Sequence, residues 1–411
     1  MLHCSTTADN LRGGIRAPQT MNSTNGSSNE AQRLTIETLS QKRVYIYIPS
    51  IIYTCILLII GIPGNATVFY VYFTRWKPSS TRVFIIALAV LDFTNCFLTF
   101  PFELANMLKP YTFDYAVLCK VFRFATYTCN SGGALLLIAI ALDRYTRICK
   151  PFSKPMNSKA AKLIAIVIVI TSVLTCWPSL VIYGTESRTV TPTIELKFCL
   201  IEDQYRNTQY PLAYLLVQCA CTMVIFSILV IIYSVIGTQV CRRWKFRTKS
   251  TKSISDADDC VIPDLSSTHG QGEEDLWKEE ARESTHGNEI EALSLRPKTL
   301  TTSTLQKKKR IFDRRTIRIG KTTVMLFVAT IAYILCFSPF LTLASHRSVY
   351  PERWRNLSDS GEIIYHFFLR SYLANCAVNP VIYSFFNPIF RLECVKLYRK
   401  LLWSNLNRCS H

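Results

Sequence analysis

Seven stretches of this chain are apolar over lengths that a soluble fold seldom uses. They run over about 45–74, 81–108, 115–148, 159–183, 209–240, 317–345 and 362–386. A helix needs roughly 20 apolar residues to cross a bilayer core of roughly 30 Å. Within that core only helices and closed barrels satisfy their peptide groups. An all-α membrane protein built as a seven-helix bundle is expected. The third block organises it. From Cys119 to Arg144 a helix rises roughly 37 Å, so one tilted helix brings a cysteine to one interface and the triplet Asp143-Arg144-Tyr145 to the other.

Charge fixes the expected topology. The chain of 411 residues is 49% hydrophobic, only 18% charged, and carries a net charge of +19. The basic residues flank the apolar blocks: Arg75 and Lys77 after the first, Arg147, Lys150 and Lys154 after the third, Arg242, Arg243 and Lys245 after the fifth, Lys307 to Arg318 before the sixth. In a seven-helix weave these turns all share one side. Basic loops face the cytoplasm, which puts the N-terminus outside and the C-terminus inside. Such clustering belongs to membrane topology rather than to nucleic-acid binding. Most of the 16 cysteines lie within apolar blocks, where thiols behave as small hydrophobes.

Residues 1–43 are polar and lack apolar periodicity, and are expected to form a disordered extracellular tail. Asn22-Ser23-Thr24 and Asn25-Gly26-Ser27 are glycosylation acceptors there. Residues 44–386 form the spanning domain, interrupted by a cytoplasmic loop expected to be disordered over about 245–306, acidic in its middle and rich in Ser and Thr. Over 387–411, apolar and basic residues alternate at helical spacing, as in a short helix lying on a membrane surface. Cys394 and Cys409 in it are candidates for palmitoylation. No phosphate loop, catalytic-triad spacing or histidine–carboxylate cluster points to an enzyme. The halves share no repeat of the kind common in transporters, the less favoured alternative.

Gly64-Asn65, Leu88-Ala89-Val90-Leu91-Asp92, Cys119, Asp143-Arg144-Tyr145, Cys336-Phe337-Ser338-Pro339 and Asn375-Cys376-Ala377-Val378-Asn379-Pro380-Val381-Ile382-Tyr383 occur in this order on successive blocks. In this the chain resembles the rhodopsin-like G-protein-coupled receptors. The resemblance implies a plasma-membrane receptor that activates heterotrimeric G proteins, with kinases and arrestin acting on the Ser/Thr-rich loop. It implies a disulfide between Cys119 and Cys199 that ties the 184–208 loop over the bundle as a lid. It implies that Asp143 restrains Arg144 at rest, and that Arg144, freed on activation, meets the G protein with Tyr145, Tyr233, Asn379, Pro380 and Tyr383. Asn65, Asp92, Asn375 and Asn379 would form a hydrated network that often holds sodium in the family; Gly133 stands where relatives have serine. Phe337 replaces the tryptophan usual beneath the pocket, two residues before the Pro339 kink. Ile319 replaces the acidic partner of the arginine, and Ile225 a proline.

Thr126 and Leu373 occupy positions where aminergic receptors carry aspartate and opsins a retinal-binding lysine. The class left is a receptor for an extracellular peptide, with a non-peptide ligand as the alternative. Pro101-Phe102-Glu103 resembles a motif of many neuropeptide receptors. Glu103, Arg123, Thr126, Tyr127 and Arg370 are the expected pocket. Buried charges need partners. Glu103 paired with Arg370 would leave Arg123 for a ligand carboxylate; Glu103 left unpaired would suit a basic ligand. The first arrangement is the favoured one.

Overall fold

The computed structural model describes residues 25–192, 194–258, 302–354 and 357–408. Asn22, Asp259, Glu273, Glu274, Asp275 and Cys409 lie outside them, as do the side chains of Asn25 and Ile319. The helices are α1 (Asn25–Arg75), α2 (Ser80–Thr94), α3 (Phe100–Leu108), α4 (Ala116–Cys149), α5 (Ser158–Cys176), α6 (Pro178–Ile182), α7 (Tyr210–Asp258), α8 (Thr302–Val349), α9 (Asp359–Phe368), α10 (Ala374–Phe386) and α11 (Pro388–Arg408). One two-stranded antiparallel hairpin, β1 (Tyr183–Thr191) and β2 (Ile194–Ile201), follows α6. The chain divides into two compact units, residues 1–238 with 320–411, and residues 239–319. All side-chain contacts below lie within the first.

Six of the expected spans are long apolar helical segments. Ser80–Leu108 includes a π-helical turn at Asn95–Thr99, just before Pro101, which cannot donate to the preceding turn. The seventh span is broken: α9 ends near Leu369, a 3₁₀ turn covers Ser371–Leu373, and α10 resumes at Ala374. At the break Ser371 Oγ donates to the Cys336 carbonyl of α8 (2.6 Å). Leu88, Leu136, Ile140, Tyr333 and Tyr383 are fully buried between the helices. Ile59, Leu163, Ile170, Ile231 and Leu335 face outward, as a lipid-facing surface requires.

Two expectations of disorder are corrected, and the lid gains a structure of its own. Helix α1 begins at Asn25, so residues 25–43, read as tail, belong to the first helix. Tertiary contact holds them: Ile36 and Leu39 pack against the hairpin, and buried Arg43 pairs with Glu362 of α9. The loop expected to be disordered is likewise shortened by helix, since α7 runs to Asp258 and α8 starts at Thr302. The 184–208 segment holds a hairpin in register Thr185↔Cys199. Val190, Ile194, Leu196 and Phe198 bury against Tyr111, with Ile194, Leu196 and Phe198 on one face by the two-residue period of a strand.

Candidate functional site

Helix α4 carries polar clusters at both ends. Near its start, Cys119 is bonded to Cys199 of β2, with Cα atoms 5.5 Å apart. Beside it lies a cavity of about 90 Å³ walled by Glu103, Arg123, Phe198, His366, Arg370 and Tyr372 among others. Arg123 Nη1 donates to Glu103 Oε1 (2.6 Å), while Arg370 Nε stands 3.6 Å from Glu103 Oε2. All three residues are at least nine-tenths buried. Glu103 does reach Arg370, but its shorter contact is with Arg123, which is not left over. The π-helical turn and Pro101 precede Glu103 on α3, and Arg123 lies one turn below the disulfide on α4.

Thr126 and Tyr127 lie deeper and do not wall the cavity. Thr126 Oγ1 donates to the Phe122 carbonyl (2.8 Å), and the Tyr127 and Tyr183 hydroxyls pair at 2.7 Å. The sequence reading missed Arg43, Glu362, His366 and Tyr372. Arg43 bonds Glu362, and its Nη2 lies 2.9 Å from His366 Nε2. The acidic start of the seventh block was the available signal, yet its partner is 319 positions away. On the hairpin, Lys197 donates to Asp114 (2.6 Å), and that bond holds its ammonium above the usual lysine range.

At the far end of α4 the Asp143 carboxylate collects donors from three directions. Ser80 Oγ donates at 2.6 Å, Thr81 Oγ1 at 3.0 Å, Arg144 Nη2 at 2.5 Å and Arg147 Nε at 3.1 Å. Arg144 also donates to Thr81. The guanidinium is thus tied to α2 and buried. Ser80 and Thr81, which open α2, did not figure in the sequence reading. Tyr145 lies under the Lys150 ammonium, 6.0 Å from its ring centre. Tyr233 is buried against Phe327, with ring centres 5.3 Å apart. The buried Tyr383 hydroxyl has no hydrogen-bond partner among the described residues.

Between the two ends, Asn379 Nδ2 donates to Asp92 Oδ2 (2.8 Å), and Asn65 Nδ2 to the Gly61 and Cys376 carbonyls (2.9 and 2.8 Å). Asn375 is buried nearby on α10. Gly64 permits the close approach of α1 to α10, since a Cβ there would lie 2.9 Å from Pro380 Cβ. Phe337 packs on Tyr333 with ring centres 4.7 Å apart, two residues before Pro339. As a sodium site, this region offers one carboxylate already accepting from an amide, and Gly133 supplies no side-chain oxygen. Among the described residues no group of three or more His, Cys, Asp or Glu could hold a metal ion.

Replacing Cys119 with serine opens an 80-residue loop. The chain-entropy estimate for that loop is about 4–5 kcal/mol. Surface display measured by an epitope tag should fall to a small fraction of wild type, and normal display with normal ligand response would contradict a structural role.

A family model described as 7 transmembrane receptor (rhodopsin family) matches residues 64–383. Cholecystokinin receptor type A of Homo sapiens is 26% identical over 358 residues, 82% of this chain and 77% of its own length. Neuropeptide receptor npr-1 of Caenorhabditis elegans is 24% identical over 368 residues, 86% of this chain and 73% of its own. Growth hormone secretagogue receptor type 1 of Rattus norvegicus is 27% identical over 202 residues, covering 46% and 53%.

Proposed function

Since the chain belongs to the rhodopsin family of seven-transmembrane receptors, we propose that the clusters at the two ends of α4 serve one transduction step, in which an extracellular peptide at the Glu103–Arg123–Arg370 end releases Arg144 at the other. It is a multi-pass receptor of the plasma membrane that acts through G proteins, and not an enzyme. The observation that carries the proposal is the placement of two buried ionic clusters on a single helix. Arg123 and Arg144 are 21 residues apart in α4, roughly 31 Å of helix rise. Neuropeptide receptor npr-1 and the cholecystokinin receptor resemble the chain over more than four-fifths of its length, which supports a peptide ligand.

The disulfide end faces outward, where oxidation sustains the Cys119–Cys199 bond. The N-terminus shares that side, and the C-terminus and α11 lie in the cytoplasm. At rest the carboxylate of Asp143 holds Arg144 against α2. A ligand that favours the state with α8 swung about Pro339 opens a crevice there, and Arg144, Tyr233 and Tyr383 then line the surface offered to the G protein. Asn65, Asp92, Asn375 and Asn379 tie α1, α2 and α10 together between the two ends. Kinases and arrestin act on the Ser/Thr-rich segment between α7 and α8.

The test is a signalling screen of cells expressing the full chain against synthetic neuropeptides, amidated and free-acid. Some member should raise G-protein activation in a saturable way that untransfected cells lack. Activation only by non-peptide compounds would overturn the ligand class while leaving the receptor assignment intact.

A further inference from the structure

Three residues that wall the cavity each carry one fully buried polar atom with no hydrogen-bond partner among the described residues: Arg370 Nε, His366 Nδ1 and Tyr372 Oη. Their chemistry is alike. Arg43, which only donates, lies 2.9 Å from His366 Nε2, so that nitrogen accepts and the ring proton sits on Nδ1. Arg370 Nε is also a donor. Its Nη1 is already given to the His366 carbonyl (3.1 Å), and the nearest carboxylate oxygen, Glu103 Oε2, is beyond hydrogen-bond range at 3.6 Å. The Tyr372 hydroxyl can donate as well. The carboxylate of Glu103 is shared by two guanidiniums, those of Arg123 and Arg370. Leaving buried donors unsatisfied is costly, and clustering them beside one carboxylate that faces two arginines concentrates positive potential.

The size of the cavity narrows the occupant further. At about 90 Å³ it falls short of the roughly 300 Å³ that holds a drug-sized ligand. It admits one end group or one short side chain, with the rest of a longer ligand lying over the hairpin. We propose that this cavity seats a carboxylate of the ligand between Arg123 and Arg370, and that Arg370, His366 and Tyr372 turn to present their unused donors to it. A neutral carbonyl would satisfy the donors without balancing the second guanidinium. An ammonium or guanidinium would meet Arg123 and Arg370 of like charge. The inference rests on the receptor reading and assigns the chemistry of the anchoring group. Both a peptide's free C-terminus and an Asp or Glu side chain would supply it.

The experiment uses the full-length receptor in lipid nanodiscs. One probe is a library of capped hexapeptides made in three versions: acidic, with side-chain acids as amides, and with the C-terminal acid as an amide. The second probe is N-acetylaspartate methylamide, set against N-acetylasparagine methylamide. Acidic peptides should bind at least tenfold tighter than one amide version, and which version loses affinity identifies the source of the carboxylate. In Arg370→Gln that preference should vanish while surface level holds, because Glu103 keeps Arg123. Arg370→Lys, which retains charge but not the Nε donor, should restore part of it. Should Arg370→Gln fail to reach the surface, Tyr372→Phe supplies the comparison and should reduce the preference severalfold. Peptides that bind equally in all versions, or better when basic, would overturn the inference and leave the peptide reading standing. If no peptide binds but N-acetylaspartate methylamide alone of the two small probes raises the thermal midpoint of wild type and not of Arg370→Gln, the carboxylate site stands and the peptide reading fails. If neither probe set distinguishes acid from amide, the inference is wrong.

Discussion

Glu103→Gln is expected to lower the stability of the receptor by about 3–5 kcal/mol, the usual cost of removing one member of a buried ionic group. The neutral amide cannot balance the Arg123 guanidinium, which donates to Glu103 at 2.6 Å, nor that of Arg370 at 3.6 Å. The thermal midpoint and the surface population should both fall. A double-mutant cycle ranks the two partners. Glu103→Gln with Arg123→Met should recover more of the loss than Glu103→Gln with Arg370→Met, because the first contact is the closer and forms a charge-assisted hydrogen bond. Arg370→Met alone should cost less than Arg123→Met alone. Simple additivity in both cycles would show that the three side chains do not share one ionic group.

Arg144→Ala is expected to abolish nucleotide exchange on the G protein while changing peptide affinity by no more than about threefold, since roughly 31 Å of helix separates it from Arg123. Asp143→Asn probes the same contact from its other side. The carboxylate receives Ser80, Thr81, Arg144 and Arg147, and a hydrogen bond to a charged group is worth about 1.5–3 kcal/mol. Neutralising it should raise ligand-independent signalling per receptor by about tenfold. Unchanged basal signalling from a normally displayed Asp143→Asn receptor would show that this carboxylate does not hold the resting state.

What the sequence made legible was what each segment carries within itself. Runs of apolar residues identified the spans. Motif resemblance placed Cys119 with Cys199, Asp143 beside Arg144, and Asp92 near Asn379, and the geometry brings each of these sets together. Contacts between distant segments were harder to see. Residues 25–43 look polar and aperiodic, yet Arg43 is anchored on Glu362 and His366 of the adjacent α9, more than 300 positions away in sequence. Residues Ile194, Leu196 and Phe198 alternate as a half-buried strand should, so the hairpin had a local signal that the lid expectation passed over. The choice between Arg123 and Arg370 as partner of Glu103 depends on how α3, α4 and the break before α10 meet, which spacing along one helix does not determine.

The most direct test of transduction along α4 reconstitutes the purified full-length chain in nanodiscs with heterotrimeric G protein and an active peptide from the screen, and measures GTPγS uptake. Wild type should accelerate uptake in proportion to peptide occupancy, and Arg144→Ala should bind the same peptide without accelerating it. Equal acceleration by the two, or none by wild type with peptide bound, would contradict the account.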